Sequence, residues 1–400
     1  MQREEGINGL GQVETVNRVV VPPNERVRLD GKFFKLADRK FWVKGVTYGP
    51  FAARSDGAFL PERDRLEADF RQIASMGANT IRVYHVPPRD LLDLAHSWGI
   101  KVFVDVPWSK HRCFLESAED MESGRRAVRE AARACKGHPA LLALSVVNEV
   151  PADVVRWLGR EKVEQFIDEL VAIAHEEDPE VLVTFASFPP TEYLHPTTVD
   201  FYTMNVYLHR REKFRAYLER LQNLADEKPL LLGEYGIDSI RNGESEQAEL
   251  LGMHLEEVFG NGLAGTCCFS YTDDWFTGGH PITDWAFGLV RRDRTPKPAF
   301  DRVAAVYRAK SPLPPLPSTP KVSVIVCTYN GSKTLDGCLR SLERLNYPDY
   351  EVVLVDDGSK DSVPEIAARY PYIRYHRQPN RGLSVARNVG MDLARGEVIA

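Results

Sequence analysis

Two glutamates stand where apolar runs end. Leu141–Val147 is followed by Asn148-Glu149, and Pro229–Gly233 leads into Glu234-Tyr235-Gly236. If both runs are strands of one parallel sheet, both carboxylates emerge at the same rim. Two carboxyl groups facing one cleft are what glycosidic cleavage needs: one gives a proton to the leaving oxygen, the other acts as nucleophile or base. A single glutamate at a strand end is more often a solvated rim residue. The pair, with Asn148 beside the first, is a stronger signal. Arg82 and His85 close another apolar run, Tyr207 closes a third, and Trp275 and Trp108 offer aromatic faces to a sugar ring. Each of these has a plainer reading too: an internal ion pair for Arg82, a rim residue for His85, core aromatics for Tyr207 and Trp108. Asp273 and Asp274 read as loop carboxylates, with substrate contact as the alternative, and Asp105 and Asp238 take no assignment.

Such side chains need elements to position them. Eight β-rich apolar runs follow one another: Phe41–Tyr48, Thr80–His85, Lys101–Trp108, Leu141–Val150, Val181–Phe188, Phe201–Leu208, Pro229–Gly236 and Gly265–Tyr271. Amphipathic stretches separate most of them, at Arg63–Met76, Pro88–Trp98, Met121–Lys136, Asp153–Glu177, Glu212–Ala225 and Glu244–Phe259. Between the fifth and sixth runs the connection is short and carries prolines. Alternating β and α predicts an α/β chain with a parallel sheet. Eight units fit a (β/α)8 TIM barrel, in which chemistry sits at the carboxyl ends of the strands. An open doubly wound sheet is the alternative, and it suits eight repeats less well. Residues 24–40 read as a small hairpin able to plug the barrel floor.

On these residues the stretch Arg28–Tyr307 resembles the catalytic barrel of glycoside hydrolase family 2. It is similar also to the wider clan with glutamates on strands four and seven, which includes family 5. The matching pieces are Lys44-Gly45-Val46, Asn79-Thr80-Ile81-Arg82, Val147-Asn148-Glu149, Gly233-Glu234-Tyr235-Gly236 and the segment Gly288–Pro298. The resemblance implies Glu149 as acid/base and Glu234 as nucleophile of a retaining enzyme, with carboxyl groups about 5–5.5 Å apart. Those roles require Glu149 to be protonated near neutral pH and Glu234 to stay ionised, which Arg82 is placed to favour. Asn148 is suited to the sugar 2-hydroxyl, and Tyr207 to the nucleophile. His85 and Trp275 complete the expected substrate contacts. Family 2 enzymes usually carry β-sandwich domains before the barrel; about 40 residues precede the first strand here, so the substrate does not carry over.

Past the barrel, Ser311–Pro320 holds five prolines in ten residues, a semi-rigid spacer that cannot join a helix or an inner strand. Strands are expected at Val322–Thr328, Glu351–Val355, Tyr372–His376 and Glu397–Ala400, with helices at Thr334–Leu345, Ser362–Tyr370 and Leu383–Ala394. This is the start of a Rossmann-like nucleotide-binding fold. Four pieces, Val322–Asn330, Val355–Ser359, Asn380–Asn388 and Gly396–Ile399, resemble glycosyltransferase family 2, of the GT-A fold. The resemblance implies that Thr328, Tyr329 and Asp357 line a nucleotide pocket and that Arg387 faces a phosphate. It also implies a UDP-sugar and a divalent metal for a complete transferase. The metal-holding Asp-x-Asp pair of that family would follow Glu397–Ala400, so 321–400 is expected to be an incomplete transferase domain that does not transfer sugar, in a fragment of a longer protein or a truncated product.

Composition bounds the rest. Of 400 residues, 43% are hydrophobic and 27% charged, and the net charge is -6. These values exclude a disordered or collagen-like chain and give no bulk sign of nucleic-acid binding. No apolar run approaches a membrane span, and the polar N-terminal extension, residues 1–27, lacks an apolar signal core. Six scattered cysteines without a CxxC pair read as reduced thiols, with no metal site implied. The expectation is a cytoplasmic barrel at 28–310 acting on an oligo- or polysaccharide by hydrolysis or transglycosylation, in polysaccharide metabolism. The alternative is a non-catalytic glycan-binding barrel that serves the transferase.

Overall fold

A computed structural model of the chain describes residues 25–309, 318–345 and 347–400. Most of the polar N-terminal stretch and of the Pro-rich segment lies outside them. The described residues fall into two compact units, 25–309 and 318–400.

In the first unit eight parallel strands close into a barrel, which decides against the open sheet. They are β1 (Val43–Thr47), β2 (Thr80–Val83), β3 (Lys101–Asp105), β4 (Leu141–Asn148), β5 (Leu182–Ser187), β6 (Tyr202–Asn205), β7 (Leu230–Glu234) and β8 (Gly265–Cys268). Neighbours in sequence are neighbours in the barrel, and β8 returns to β1 with Gly265 opposite Val43 and Cys268 opposite Val46. Nearly every strand residue is buried, because helices cover the outer face and side chains fill the interior; that is why the runs read as continuous apolar stretches rather than alternating ones.

The helices are α1 (Arg63–Ser75), α2 (Arg89–Ser97), α3 (Ala118–Cys135), α4 (Ala152–Leu158), α5 (Arg160–Glu177), α6 (Arg211–Ala225), α7 (Ser239–Asn242), α8 (Glu244–Gly260) and α9 (Pro298–Tyr307). Leu66, Phe70 and Ile73 of α1 show the helical spacing of the face turned to the barrel. The single helix expected over Asp153–Glu177 is two, broken at Gly159, which stands at φ 91°. A side chain there would be strained, and glycine is free of that cost. Helix α3 starts earlier than expected, where the Ser117 side chain accepts the Asp120 N–H as an N-cap.

The expected hairpin is a three-stranded antiparallel sheet, Arg28–Asp30, Phe33–Leu36 and Arg39–Phe41. It does plug the floor: Val27, Phe34 and Phe41 form one buried cluster with Val43, Phe103, Leu142 and Leu231 from the strands and Phe201 just before β6. Phe34 meets Phe201 edge-on at 5.1 Å. Closing the floor leaves the carboxyl-end mouth as the open face.

The second unit is a four-stranded parallel sheet. Its strands are β9 (Val322–Thr328), β10 (Tyr350–Asp356), β11 (Ile373–Arg377) and β12 (Val398–Ile399), in the spatial order β11-β10-β9-β12. Helices α10 (Ser332–Glu343) and α11 (Val363–Ala367) pack on one apolar cluster and α12 (Leu383–Leu393) on the other. No described helix is long and apolar enough to cross a membrane.

Candidate active site

Arg82 organises the barrel mouth. Its guanidinium is fully buried, and a buried cation must be paired and hydrogen-bonded. Its Nε donates to Asp105 Oδ2 on β3 at 2.5 Å, Nη2 to Asn148 Oδ1 on β4 at 3.1 Å and Nη1 to Asn205 Oδ1 on β6 at 3.1 Å. The same Nη1 stands 3.2 Å from Glu234 Oε1 on β7. Four strands are thus tied by one side chain. Gly233 makes room for it: a Cβ there would lie 2.8 Å from Arg82 Nη1, 2.7 Å from Asn205 Oδ1 and 2.5 Å from the Thr203 methyl.

Glu234 is 7% exposed. Besides Arg82 it accepts from Tyr84 Oη at 2.6 Å and from Tyr207 Oη at 3.0 Å, one phenol to each carboxylate oxygen. Burial pushes its carboxyl above the ordinary range, and the nearby charges of Glu149 and Asp105 push the same way. Arg82 and the Tyr84 hydroxyl oppose them. The sequence expects Arg82 to hold this group low; desolvation is the larger influence, and the net direction is upward.

Glu149 follows the last residue of β4. It stands at φ 54°, in the left-handed region, a strained place for a side-chain-bearing residue that the surroundings must impose. Its N–H donates to the Ala186 carbonyl on β5 at 2.8 Å. Its Oε1 accepts from Asn205 Nδ2 at 2.8 Å, and that amide also donates to Asn148 Oδ1 at 3.0 Å. A continuous chain of contacts therefore runs from Glu149 through Asn205 and Arg82 to Glu234, placing both carboxylates in one mouth.

Trp275 closes one side. Its ring lies 5.8 Å from Tyr84 and 4.9 Å from Phe269, and Trp285 stacks on Phe269 at 5.5 Å. Phe287 and Tyr207 extend this aromatic wall. Trp108 does not join it: its Nε1 donates to the Val146 carbonyl at 2.7 Å, and its ring packs on Phe114 and Phe166. The expectation that it offers a face to sugar gives way to packing between the barrel and α5. His85 is 8% exposed, lies edge-on to Phe59 and has no hydrogen-bond partner on either ring nitrogen among the described residues. Burial lowers its pKa to about 4, so the ring is neutral at physiological pH. Asp105 is Arg82's partner, Asp238 caps α7, and Asp273 pairs with Lys297 at 2.9 Å.

Tyr84, Asn205 and Lys110 were not singled out from the sequence. Tyr84, just past β2, is two residues from Arg82, and Asn205 and Tyr207 are two apart at the end of β6, so the two-residue period of a strand puts each on the face of a chosen neighbour. Lys110 lies in the loop after β3, half-buried, and interacts electrostatically with Asp105, Glu149 and Glu234. Burial lowers its pKa. Nothing in the sequence marked it out from other loop lysines.

In the second unit Asp357 accepts from Gln378 Nε2 at 2.6 Å and from the N–H groups of Arg381 and Gly382 at 2.9 and 2.8 Å. Its own N–H donates to the Thr328 carbonyl. Tyr329 is 49% exposed. Arg387 lines a cleft of about 510 Å³ together with Cys327, Ser384 and Asn388, whereas Thr328, Tyr329 and Asp357 lie outside its lining.

Compared with known proteins, residues 27–310 match the family model "Glycosyl hydrolases family 2, TIM barrel domain" and residues 323–400 the model "Glycosyl transferase family 2". Among solved structures, the β-glucuronidase of Ruminococcus gnavus aligns with a TM-score of 0.61 at 21% identity, over 71% of this chain and 53% of that one. The β-glucuronidase of Bifidobacterium dentium, complexed with coumarin-3-O-glucuronide, aligns at 0.61 and 20% identity, over 71% of this chain and 48% of its own. At that identity the likeness concerns the fold. Curated relatives match the second unit: a cholesterol galactosyltransferase of Borreliella burgdorferi is 40% identical over 83 residues, 20% of this chain and 23% of its own length. A chondroitin synthase of Escherichia coli is 34% identical over 101 residues, 24% of this chain and 15% of its own. The chain thus spans about a quarter or less of these relatives.

Proposed function

The chain belongs to glycosyl hydrolase family 2 through its barrel at 27–310, and from that premise we propose that the barrel is a retaining glycosidase or transglycosylase with Glu149 as acid/base and Glu234 as nucleophile. The observation that carries this reading is the contact chain Glu149–Asn205–Arg82–Glu234 across the mouth. In the first step a Glu234 oxygen bonds to the anomeric carbon as the bond to the leaving oxygen breaks. Glu149 gives that oxygen its proton. In the second step Glu149, now a carboxylate, takes a proton from water or a sugar hydroxyl, whose oxygen displaces Glu234 from the anomeric carbon.

The surroundings suit these roles. Tyr84 and Tyr207 donate to Glu234 and the Arg82 guanidinium is paired with it, favouring the ionised form that attacks, while burial strips it of water. Asn148, held by Arg82 and Asn205, is the candidate partner of the sugar 2-hydroxyl, and Trp275 the candidate platform for a sugar ring. His85, expected as a sugar contact, has both ring nitrogens buried and would need the mouth to open before it could bond a sugar hydroxyl. Glu234→Ala is expected to abolish turnover of 4-nitrophenyl glycosides in a folded protein; turnover that survives contradicts the assignment. The glucuronide belongs in that panel because the solved neighbours bind glucuronic compounds.

For residues 323–400 the proposal is a sugar-nucleotide-binding part of a family 2 transferase, with Arg387 at the phosphates and Thr328, Tyr329 and Asp357 toward the nucleoside. The two activities together suit the building and trimming of a polysaccharide. Titration with UDP, reading protection of residues 383–391 from hydrogen exchange, tests this part; equal exchange with and without UDP contradicts it.

A further inference from the structure

A side-chain cluster outside the proposed chemistry joins α1 to the segments that follow β1 and β8. Asp69, on α1, is 1% exposed. Its carboxylate accepts from Tyr48 Oη at 2.9 Å, just past β1, from Tyr271 Oη at 3.3 Å, just past β8, and from Arg294 Nε at 3.0 Å. Gln72, one turn along α1, accepts from Tyr271 Oη at 2.6 Å and donates to the Arg294 carbonyl at 3.2 Å. Arg294 itself stands at φ 75°, a conformation that a residue with a side chain keeps where its contacts over-determine it. From there its Nη1 reaches Asp274 Oδ2 at 3.2 Å. Asp274 immediately precedes Trp275. The far side of the same segment is pinned to β1's loop, where the Phe276 N–H donates to the Pro50 carbonyl at 3.0 Å.

A buried carboxylate must be paired, yet pairing alone needs one partner. Here Asp69 holds three segments of the barrel mouth, and the arginine forks between it and the segment that carries Trp275. We infer that Asp69, Arg294 and Asp274 form a positioning relay: it fixes the Asp274–Phe276 segment, holds the Trp275 ring against Tyr84 and Phe269, and sets how tightly a sugar is bound rather than how fast its bond breaks. This rests on reading the barrel as a glycosidase. Arg294, Asp69 and Asp274 touch neither carboxylate of the proposed mechanism; they act through Trp275.

The fork makes the relay testable. Arg294→Lys keeps a cation beside Asp69, but a single ammonium cannot also span to Asp274. Asp274→Asn cuts the same link from its other end. With the best substrate among the 4-nitrophenyl β-D-glucuronide, glucoside, galactoside and mannoside, each variant is expected to raise KM about tenfold with kcat within about twofold, and the double variant to do no more than either alone. Hydrogen exchange of peptides covering 273–282 is expected to rise in all three. A lowered Tm with KM and exchange at parental values makes the cluster merely structural and overturns the inference, as does a double variant whose effects add. If the parent protein turns over none of the four glycosides, the glycosidase reading fails, and the exchange measurement still decides the relay.

Discussion

Glu234 and Asp357 hold corresponding places in two sheets, each at the carboxyl end of a parallel strand, and they are held in different ways. Three side chains from the barrel mouth, Arg82, Tyr84 and Tyr207, converge on Glu234. Burial drives its carboxyl up against those donors. Asp357 is held by two backbone N–H groups and Gln378, all from the loop 378–382. These bonds, the one from Gln378 first, keep its carboxyl below the ordinary range. A carboxylate that spends its lone pairs on its own backbone shapes a loop. Glu234, desolvated and met by the side chains of Arg82, Tyr84 and Tyr207, suits the nucleophile proposed for it. The place at a strand end marks both; the donors tell them apart.

The contrast breaks most sharply under substitution. Glu234→Gln is expected to lower kcat/KM roughly 10⁴-fold or more, the scale seen when a nucleophile is removed. Its Tm is expected at or above the parent's. A carboxyl whose folded pKa is raised contributes its full stability below its ordinary pKa and loses it as pH rises through the raised value, so an amide relieves that cost at neutral pH. Activity assays and thermal melts of one preparation check both halves.

Glu149→Gln is expected to cost about 10²–10⁴-fold on glycosides with poor leaving groups. Substrates whose leaving group needs no proton, such as 2,4-dinitrophenyl glycosides, should lose much less. Equal losses on both kinds of substrate would remove Glu149 from the acid role. Next in size, Tyr84→Phe removes a hydrogen bond that favours the ionised Glu234. A loss of about tenfold follows from the strength of hydrogen bonds to charged groups. The Glu234 pKa then rises further, so the acid limb of the kcat/KM profile should move to higher pH; a limb left in place would detach Tyr84 from the nucleophile.

Asp357→Asn is the smallest and the most local. Glycoside turnover is expected at the parental rate, while peptides covering 378–382 lose protection from hydrogen exchange. Because the folded pKa is lowered, the stability that Asp357 adds is present above the ordinary carboxylate range and fades as pH falls through the lowered value. The parent and the variant should therefore converge in exchange toward acid pH.

Much of this was legible in the sequence. Each apolar run contains a barrel strand, since parallel strands buried on both faces leave an unmistakable imprint. The glutamates and Arg82 could be placed because a strand end fixes which rim a residue occupies. The break at Gly159 was not foreseen: Asp153–Glu177 keeps one amphipathic pattern, and the glycine that ends the first helix was the stop signal within it. Trp108 and Trp275 looked alike as loop tryptophans after strands. Only folding reveals that one indole is spent on the Val146 carbonyl and the other stands beside Tyr84. Arg294 sat inside the family-like segment Gly288–Pro298 with no hint that it pairs with a residue 225 positions away. Contacts of that range leave no local pattern.

The central claim, a covalent retaining mechanism at Glu234, is tested most directly by intact mass after incubation with a panel of 2-deoxy-2-fluoro glycosyl fluorides, followed by peptide mapping. A mass gain of one fluorosugar, on the peptide that carries Glu234, is the predicted result, and the sugar that reacts names the substrate class. No adduct from any sugar in a folded protein, or an adduct on another residue, would contradict the claim and leave the barrel as a glycan-binding module.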